Sequence, residues 1–195
     1  ASLQDISFIK QSQKQMEQLA YYDALTGLAN RSYFRDQLRK AILMSQRGYF
    51  SFALLYFDLD EFKLINDTLG HDVGDLLLIE VARRLQDAIR ASDTAARLGG
   101  DEFVVMLEEL SEDATEAAEQ ARLVGEKVLS TLNQPYHLAG HELRSTPSIG
   151  LTLFEGRRAT IDELMRQADL AMYQSKSAGR NALHFFDPQM QAAVL

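Results

Sequence analysis

The chain predicts an α+β fold, sandwich-like in its layering: a split βαβ sheet containing antiparallel strands, with flanking helices. Three observations lead there. Residues Tyr49 to Phe57 form a nearly continuous apolar run of strand length, which reads as a strand buried on both faces and central in a sheet. Two β-prone runs, Thr94 to Leu98 and Phe103 to Leu107, flank Gly99-Gly100. Gly-Gly at the centre of a two-residue connection suits a tight hairpin, because glycine reaches positive φ without steric cost. Amphipathic helical segments separate these strands. The order strand, helix, hairpin, helix, strand then sets the helices on one face of the sheet.

Taken in order, residues 1–21 read as a linker or signalling helix. Ile6, Ile9, Met16 and Leu19 fall on one stripe, and no Gly or Pro interrupts it. A polar helix with so thin a stripe suits a short coiled coil or a tether. Residues 22–186 form the domain proper, and 187–195 a tail. Asp23 to Arg31 is a turn-rich connector in which Asn30 is placed to cap a helix from Arg31 to Ser45. Phe34, Leu38, Ile42 and Leu43 share one face of that helix.

The central strand exits into Asp58-Leu59-Asp60. Aspartates at i and i+2 share one face, and carboxylates leaving a buried strand are costly unless paired, hydrated or holding a cation. Asp58 fits a divalent-metal ligand better than a cap, and Asp60 the reverse, since it precedes the helical stretch Phe62, Leu64, Ile65. Asn66 to Asp75 reads as a polar loop. Asn66 and Asp75 match the edge of a purine base, or serve as caps. His71, beside Gly70, suits a structural hydrogen bond more than catalysis. A helix from Asp75 to Ile89 carries Leu77, Leu78, Val81, Leu85 and Ile89 on its core face, with Arg90 near its negative end and Asp93 in a turn.

Asp101 and Glu102 stand just past the hairpin tip. Adjacent strand residues point to opposite faces, so at most one of them faces a given ligand squarely. Side-chain-free backbone at the tip lets a nucleotide phosphate come close; a solvated acidic turn is the plainer reading. A long helix spans Asp113 to Leu132 and breaks at Asn133-Gln134-Pro135. Tyr136 to Leu138 and Glu142 to Phe154 read as strands around an Ala139-Gly140-His141 turn, with Pro147 at an edge or bulge. Thr160 caps a helix from Ile161 to Lys176, closed by Ala178-Gly179-Arg180, where Lys176 and Arg180 suit the dipole. Leu183 to Phe186 is the last strand.

Composition narrows function. A net charge of −8 argues against binding a nucleic-acid polymer, so any phosphate ligand must be held by metal ions or a few placed cations. The absence of cysteine removes disulfides and thiolate chemistry. No apolar run approaches a membrane span, and no signal peptide is visible. The expected location is cytoplasmic, alone or as the cytoplasmic part of a longer, membrane-anchored protein.

Together these residues resemble the GGDEF family of diguanylate cyclases. The signature is Gly99-Gly100-Asp101-Glu102-Phe103. Its companions are Asp23-x-Leu25-Thr26-Gly27-Leu28-x-Asn30-Arg31 and Asp58-x-Asp60-x-Phe62-Lys63-x-x-Asn66-Asp67. His71-Asp72-x-Gly74-Asp75 and Ala168-Asp169-x-Ala171-x-Tyr173-x-x-Lys176 follow, the last leading to Gly179-Arg180-Asn181. The resemblance implies a palm-like, ferredoxin-related fold of the nucleotide-cyclase type over residues 22–186. It also implies condensation of two GTP molecules into cyclic di-GMP and two pyrophosphates, in a homodimer whose half-sites face each other. By position, Asp58, the Leu59 carbonyl and Asp101 match ligands of Mg²⁺ (or Mn²⁺), and Glu102 matches a carboxylate that assists deprotonation or holds a second metal. Asn66 and Asp75 match guanine readers, and Lys176 and Arg180 phosphate-binding cations. The N–H groups of Phe62 and Lys63 would receive terminal phosphates, with Gly100 giving the nucleotide room. Arg90-x-x-Asp93, with Arg122 as second arginine, matches an inhibitory product site. Phe185-Phe186-Asp187-Pro188-x-Met190 looks like a junction to a downstream EAL phosphodiesterase domain, and a sensor domain is expected upstream. In such hybrids a cyclase-like module also serves as a silent GTP- or cyclic di-GMP-binding regulator.

Overall fold

The computed structural model describes residues 2–48, 51–154 and 159–193. Its centre is β1 (Ser51–Leu59), all nine residues of which are buried. Around it runs a five-stranded sheet in the order β2-β3-β1-β6-β7, with β2 at Thr94–Gly99, β3 at Glu102–Leu110, β6 at Pro147–Phe154 and β7 at Ala182–Phe185. β1 pairs antiparallel with both β3 and β6, while β6 and β7 pair in parallel. The apolar run is the central strand, as its composition predicts; Tyr49 and Phe50 of that run lie outside the described residues.

Helices cover both faces of the sheet, not one. Ala53, Leu55, Phe57 and Leu59 join a core with α4 (His71–Ala88) and α5 (Ala114–Leu132). Phe52, Leu54 and Tyr56 join a second core with α2 (Arg31–Gln46) and α6 (Ile161–Ser177). The reason lies in β1 itself: a strand without a polar side cannot leave either face to water. Asn30 caps α2 and Thr160 caps α6, each accepting a backbone N–H through its side chain. Gly150 lets α6 lie directly on β6, since a Cβ there would stand 2.2 Å from both the Ala168 carbonyl oxygen and the Met172 nitrogen.

Three further expectations change. Asn66 to Asp75 is helical on both sides of one residue: α3 (Phe62–Leu69) ends and α4 begins at Gly70, whose φ of 94° serves both ends. The turn-prone composition marks a corner between two helices rather than a loop. The expected strand Glu142 to Phe154 is divided into β5 (His141–Leu143), paired with β4 (Tyr136–Leu138), and β6. Pro147 is the first residue of β6, where it forfeits no interior ladder bond, and β6 is an inner strand rather than an edge. The tail contains a short helix, α7 (Pro188–Ala193).

α1 (Leu3–Tyr21) starts with a Ser2–Asp5 capping box and buries no residue, leaving Phe8, Met16 and Leu19 exposed. No helix among the described residues is long and apolar enough to cross a membrane.

Gly150→Ala would drive a methyl group into the α6 backbone, which cannot rotate away as a side chain does. The expected loss is about 1–3 kcal/mol or more, read as a lower denaturant midpoint in a circular-dichroism titration.

Candidate active site

The carboxyl end of β1, the β2–β3 hairpin, the start of α3 and the end of α6 converge at one end of the sheet. Asp58 stands opposite Glu102 across the β1–β3 ladder, so both side chains leave the same face. Asp101 reaches the same end from the turn, its Oδ2 accepting the Leu59 N–H at 3.2 Å. The limit of one forward-facing carboxylate applies to strand residues, and Asp101 is released from it because it sits in the connection. That connection is Gly100-Asp101, not Gly-Gly: Gly99 is already paired with Glu102, after a register shift past Arg97. Both glycines hold positive φ, 142° and 51°, and nothing lies within 4 Å of where a Gly100 Cβ would be.

Lys176 Nζ donates to Asp58 Oδ2 at 2.5 Å, whereas Asp58 Oδ1 is buried with no partner. Burial pushes the Asp58 carboxyl up to about 6; Lys176 opposes the rise, and the nearby Asp101 and Asp60 charges add to it. No group of three or more His, Asp or Glu among the described residues is close enough to hold a cation unaided. Two carboxylates and a backbone carbonyl are nonetheless the donor set Mg²⁺ accepts when substrate phosphates and water complete its shell. The orphaned Asp58 oxygen, Asp101 and the Leu59 carbonyl therefore fit a divalent ion. Asp60 does not join them. Its two oxygens accept Thr146 Oγ1 and Ser148 Oγ, both at 2.6 Å, and the Asn181 N–H at 3.0 Å. Nor does it cap α3, whose N-cap is Glu61 at φ 57° with no side-chain hydrogen bond.

That uncapped start leaves the Phe62 and Lys63 N–H groups, which open the helix following β1, without intrahelical partners. Asn66 lies over the first turn of α4, its Oδ1 buried without a partner and only 1.8 Å from where a Gly74 Cβ would be. Gly74 is thus what admits the Asn66 amide, and Asp75 stands exposed on the next position. His71 is exposed at the first position of α4. Arg180 is exposed and backbone-strained at φ 65°, just past α6.

The Arg90 region is a separate cavity of about 390 Å³, lined by Gln86, Ile89, Arg90, Ala91, Asp93 and Ala95. The Asp93 side chain is fully buried there, accepting the N–H groups of Arg90 at 3.0 Å and Glu108 at 3.2 Å and lying 3.6 Å from the Arg90 guanidinium. The half-exposed Arg90 guanidinium donates to the Glu108 carbonyl at 2.7 Å. Arg122 is not brought to this cavity. It lies between Glu119 and Glu126 on its own helix, which neutralise it there.

A family model for the diguanylate cyclase GGDEF domain matches residues 20–182. The chain belongs to the GGDEF family. It is 46% identical over 184 residues, 94% of its length, to the bifunctional diguanylate cyclase/cyclic di-GMP phosphodiesterase MucR of Pseudomonas aeruginosa, of which it spans 26%. Among solved structures it resembles the GGDEF domain of TpbB from Pseudomonas aeruginosa, at 33% identity and TM-score 0.79 over 87% of this chain and 96% of that one. It also resembles the coiled coil and GGDEF domain of DgcB from Caulobacter crescentus in complex with c-di-GMP, at 26% identity and TM-score 0.79 over 93% of each. These likenesses bear out the palm-like fold of the nucleotide-cyclase type.

In this GGDEF domain the connector before α2 is tied to the hairpin tip, a link that sequence reasoning missed. Arg97 Nη1 holds both oxygens of Asp23, at 3.0 and 3.2 Å, while its Nε donates to the Gly100 carbonyl at 2.9 Å. One guanidinium thus ties the end of α1 to the hairpin tip. Tyr22 stacks on Tyr33, and Asn30 Nδ2 donates to the Ala20 carbonyl at 2.9 Å, fastening the same junction. Burial raises the Asp23 pKa, but the Thr26 hydroxyl and N–H together with Arg97 outweigh it and hold the carboxyl below its usual value. A depressed carboxyl stabilises the fold fully above its unfolded pKa and ceases to as pH falls through the folded one. Arg97→Ala is expected to cost about 1–3 kcal/mol at neutral pH and to flatten the fall in stability below about pH 4, measured by urea titrations across pH.

Proposed function

We propose that this domain is a diguanylate cyclase, condensing two GTP molecules into cyclic di-GMP and two pyrophosphates. The carrying observation is the convergence of the orphaned Asp58 oxygen, Asp101 and Glu102 with Lys176 and the open start of α3. Asp58, the Leu59 carbonyl and Asp101 would hold Mg²⁺ or Mn²⁺, with Glu102 on the same face available to a second ion or to the attacking hydroxyl's proton. When bound, the metal supplies charge neutralisation on the phosphates and polarises the attacking 3′-hydroxyl and the leaving group. Lys176 releases Asp58 to the ion and turns to phosphate, a change of partner a four-carbon stem permits. Arg180 adds a second cation, and the Phe62 and Lys63 N–H groups receive terminal phosphate oxygens at the helix's positive end. Gly100 leaves the nucleotide its path.

Guanine is read by the Asn66 amide and the Asp75 carboxylate, whose acceptors and donors match its edge. One domain holds one GTP, so two copies must face each other, and the exposed apolar stripe of α1 suits that pairing. An upstream sensor is the natural source of its control. Cyclic di-GMP acts as inhibitor at Arg90, whose guanidinium offers a fork to phosphate or guanine. Asp93 serves that site by holding the Arg90 turn rather than by meeting the ligand.

A second reading, a silent nucleotide-binding regulator of a downstream EAL domain, draws on MucR being named bifunctional and on this chain spanning 26% of it. The intact acidic residues favour catalysis.

The test is GTP turnover with Mg²⁺ or Mn²⁺ at high protein concentration, products separated by chromatography. Cyclic di-GMP is expected from the wild type. Asp101→Ala removes several kcal/mol of charge stabilisation, so turnover falls on the order of a thousandfold. Bound but unconverted GTP, in a forced dimer as well, would establish the regulator instead. Arg90→Ala is expected to raise the inhibitory cyclic di-GMP concentration roughly ten- to a hundredfold with turnover unchanged; unaltered inhibition removes that assignment.

A further inference from the structure

The geometry points to Asp60 as a positioning residue that, with Asn133, mounts the Arg180 phosphate-binding segment rigidly against the Asp58 end of β1. The inference rests on the nucleotide reading above, from which it takes Arg180, and concerns Asp60 and Asn133, which that reading does not use. Three consecutive positions, Gly179, Arg180 and Asn181, hold positive φ of 112°, 65° and 46°. Two of them carry side chains, and such a run persists only when its surroundings over-determine it. The surroundings are visible. On the α6 side, the Arg180 N–H donates to the Ser175 carbonyl at 3.0 Å and closes the helix. On the β1 side, the Asn181 N–H donates to Asp60 Oδ2 at 3.0 Å. On the α5 side, Asn133 Nδ2 donates to Asn181 Oδ1 at 2.7 Å while also holding the Leu129 carbonyl at 2.7 Å.

Asp60 is suited to this work because it is itself immobile. It is only 8% exposed, its N–H donates to the Thr146 carbonyl at 2.7 Å, and hydroxyls of Thr146 and Ser148 fix its carboxylate from the neighbouring strand. Only one residue separates it from Asp58. The carboxylate that would meet the metal and the backbone that aims Arg180 are therefore set by the same strand end. Positioning of this kind matters where a cation must match the terminal phosphates of a nucleotide held elsewhere by its base.

The experiment compares GTP and GMP affinity by calorimetry in the presence of Ca²⁺, for wild type, Asp60→Asn, Asn133→Ala, Arg180→Ala and the double variants with Arg180→Ala. Asp60→Asn and Asn133→Ala are each expected to weaken GTP about tenfold, the worth of about one hydrogen bond, with GMP affinity held within twofold of wild type. Neither should weaken GTP further once Arg180 is alanine. Removing the Asp60 charge would by itself favour an anionic ligand, so a loss has the opposite sign to that effect. Asn133→Ala changes no charge, lies at the end of α5 and keeps the test valid should Asp60→Asn fail to fold. Equal losses for GTP and GMP, or losses that add to that of Arg180→Ala, overturn the inference. If Arg180→Ala itself leaves GTP affinity unchanged, the assignment of Arg180 to phosphate falls, and the inference with it.

Discussion

Everything in this domain follows from a strand that cannot face water. β1 buries all nine of its residues, and two separate hydrophobic cores form because its alternating side chains must be covered on both sides. Covering one face places α4 and α5; covering the other places α2 and α6. Once those layers are set, the carboxyl end of β1 is surrounded by the ends of other elements. A helix start, a hairpin tip and a helix end meet at Asp58 because each belongs to an element needed elsewhere for burial. That end also gathers charge, bringing Asp58, Asp101 and Glu102 together with Lys176.

Within it, carboxylates divide by whether their lone pairs are already spent. In sequence Asp60 reads as a helix cap and Asp93 as part of a product site; in the fold both act as internal fasteners, Asp60 accepting Thr146, Ser148 and Asn181 and Asp93 the N–H groups of Arg90 and Glu108. Asp58 keeps one buried oxygen with no partner, an arrangement that costs free energy unless something arrives to satisfy it. Asn66 keeps another. Ser145 Oγ is a third such atom among the described residues.

The sheet's centre, the hairpin, most helices and the acidic cluster were legible in the sequence because each is written locally: an apolar run, a Gly-Gly pair, a 3.6-residue stripe. The covering of both faces was legible too, in the lack of any polar alternation along β1, though strand order alone suggested one covered face. What could not be read were pairings between distant positions. Nothing local joins Asp23 to Arg97 across 74 residues, or Asp60 to Asn181 across 121. Within this chain Arg122 is held by Glu119 and Glu126, one turn away on either side of its own helix, a competition visible in the i,i+3 and i,i+4 spacing.

The Lys176–Asp58 contact also bears on how the chain acquires its structure. Its partners are 118 residues apart in sequence, one at the end of β1 and the other in α6. Closing so long a loop is entropically slow, and contacts of that range dominate the folding times of mixed domains. Until α6 docks, Lys176 cannot reach Asp58, and the carboxylate at the end of β1 lacks the ammonium that pairs with it in the folded domain. The charged end of the sheet therefore depends on a long-range contact, and its completion is coupled to the docking of α6 on the sheet.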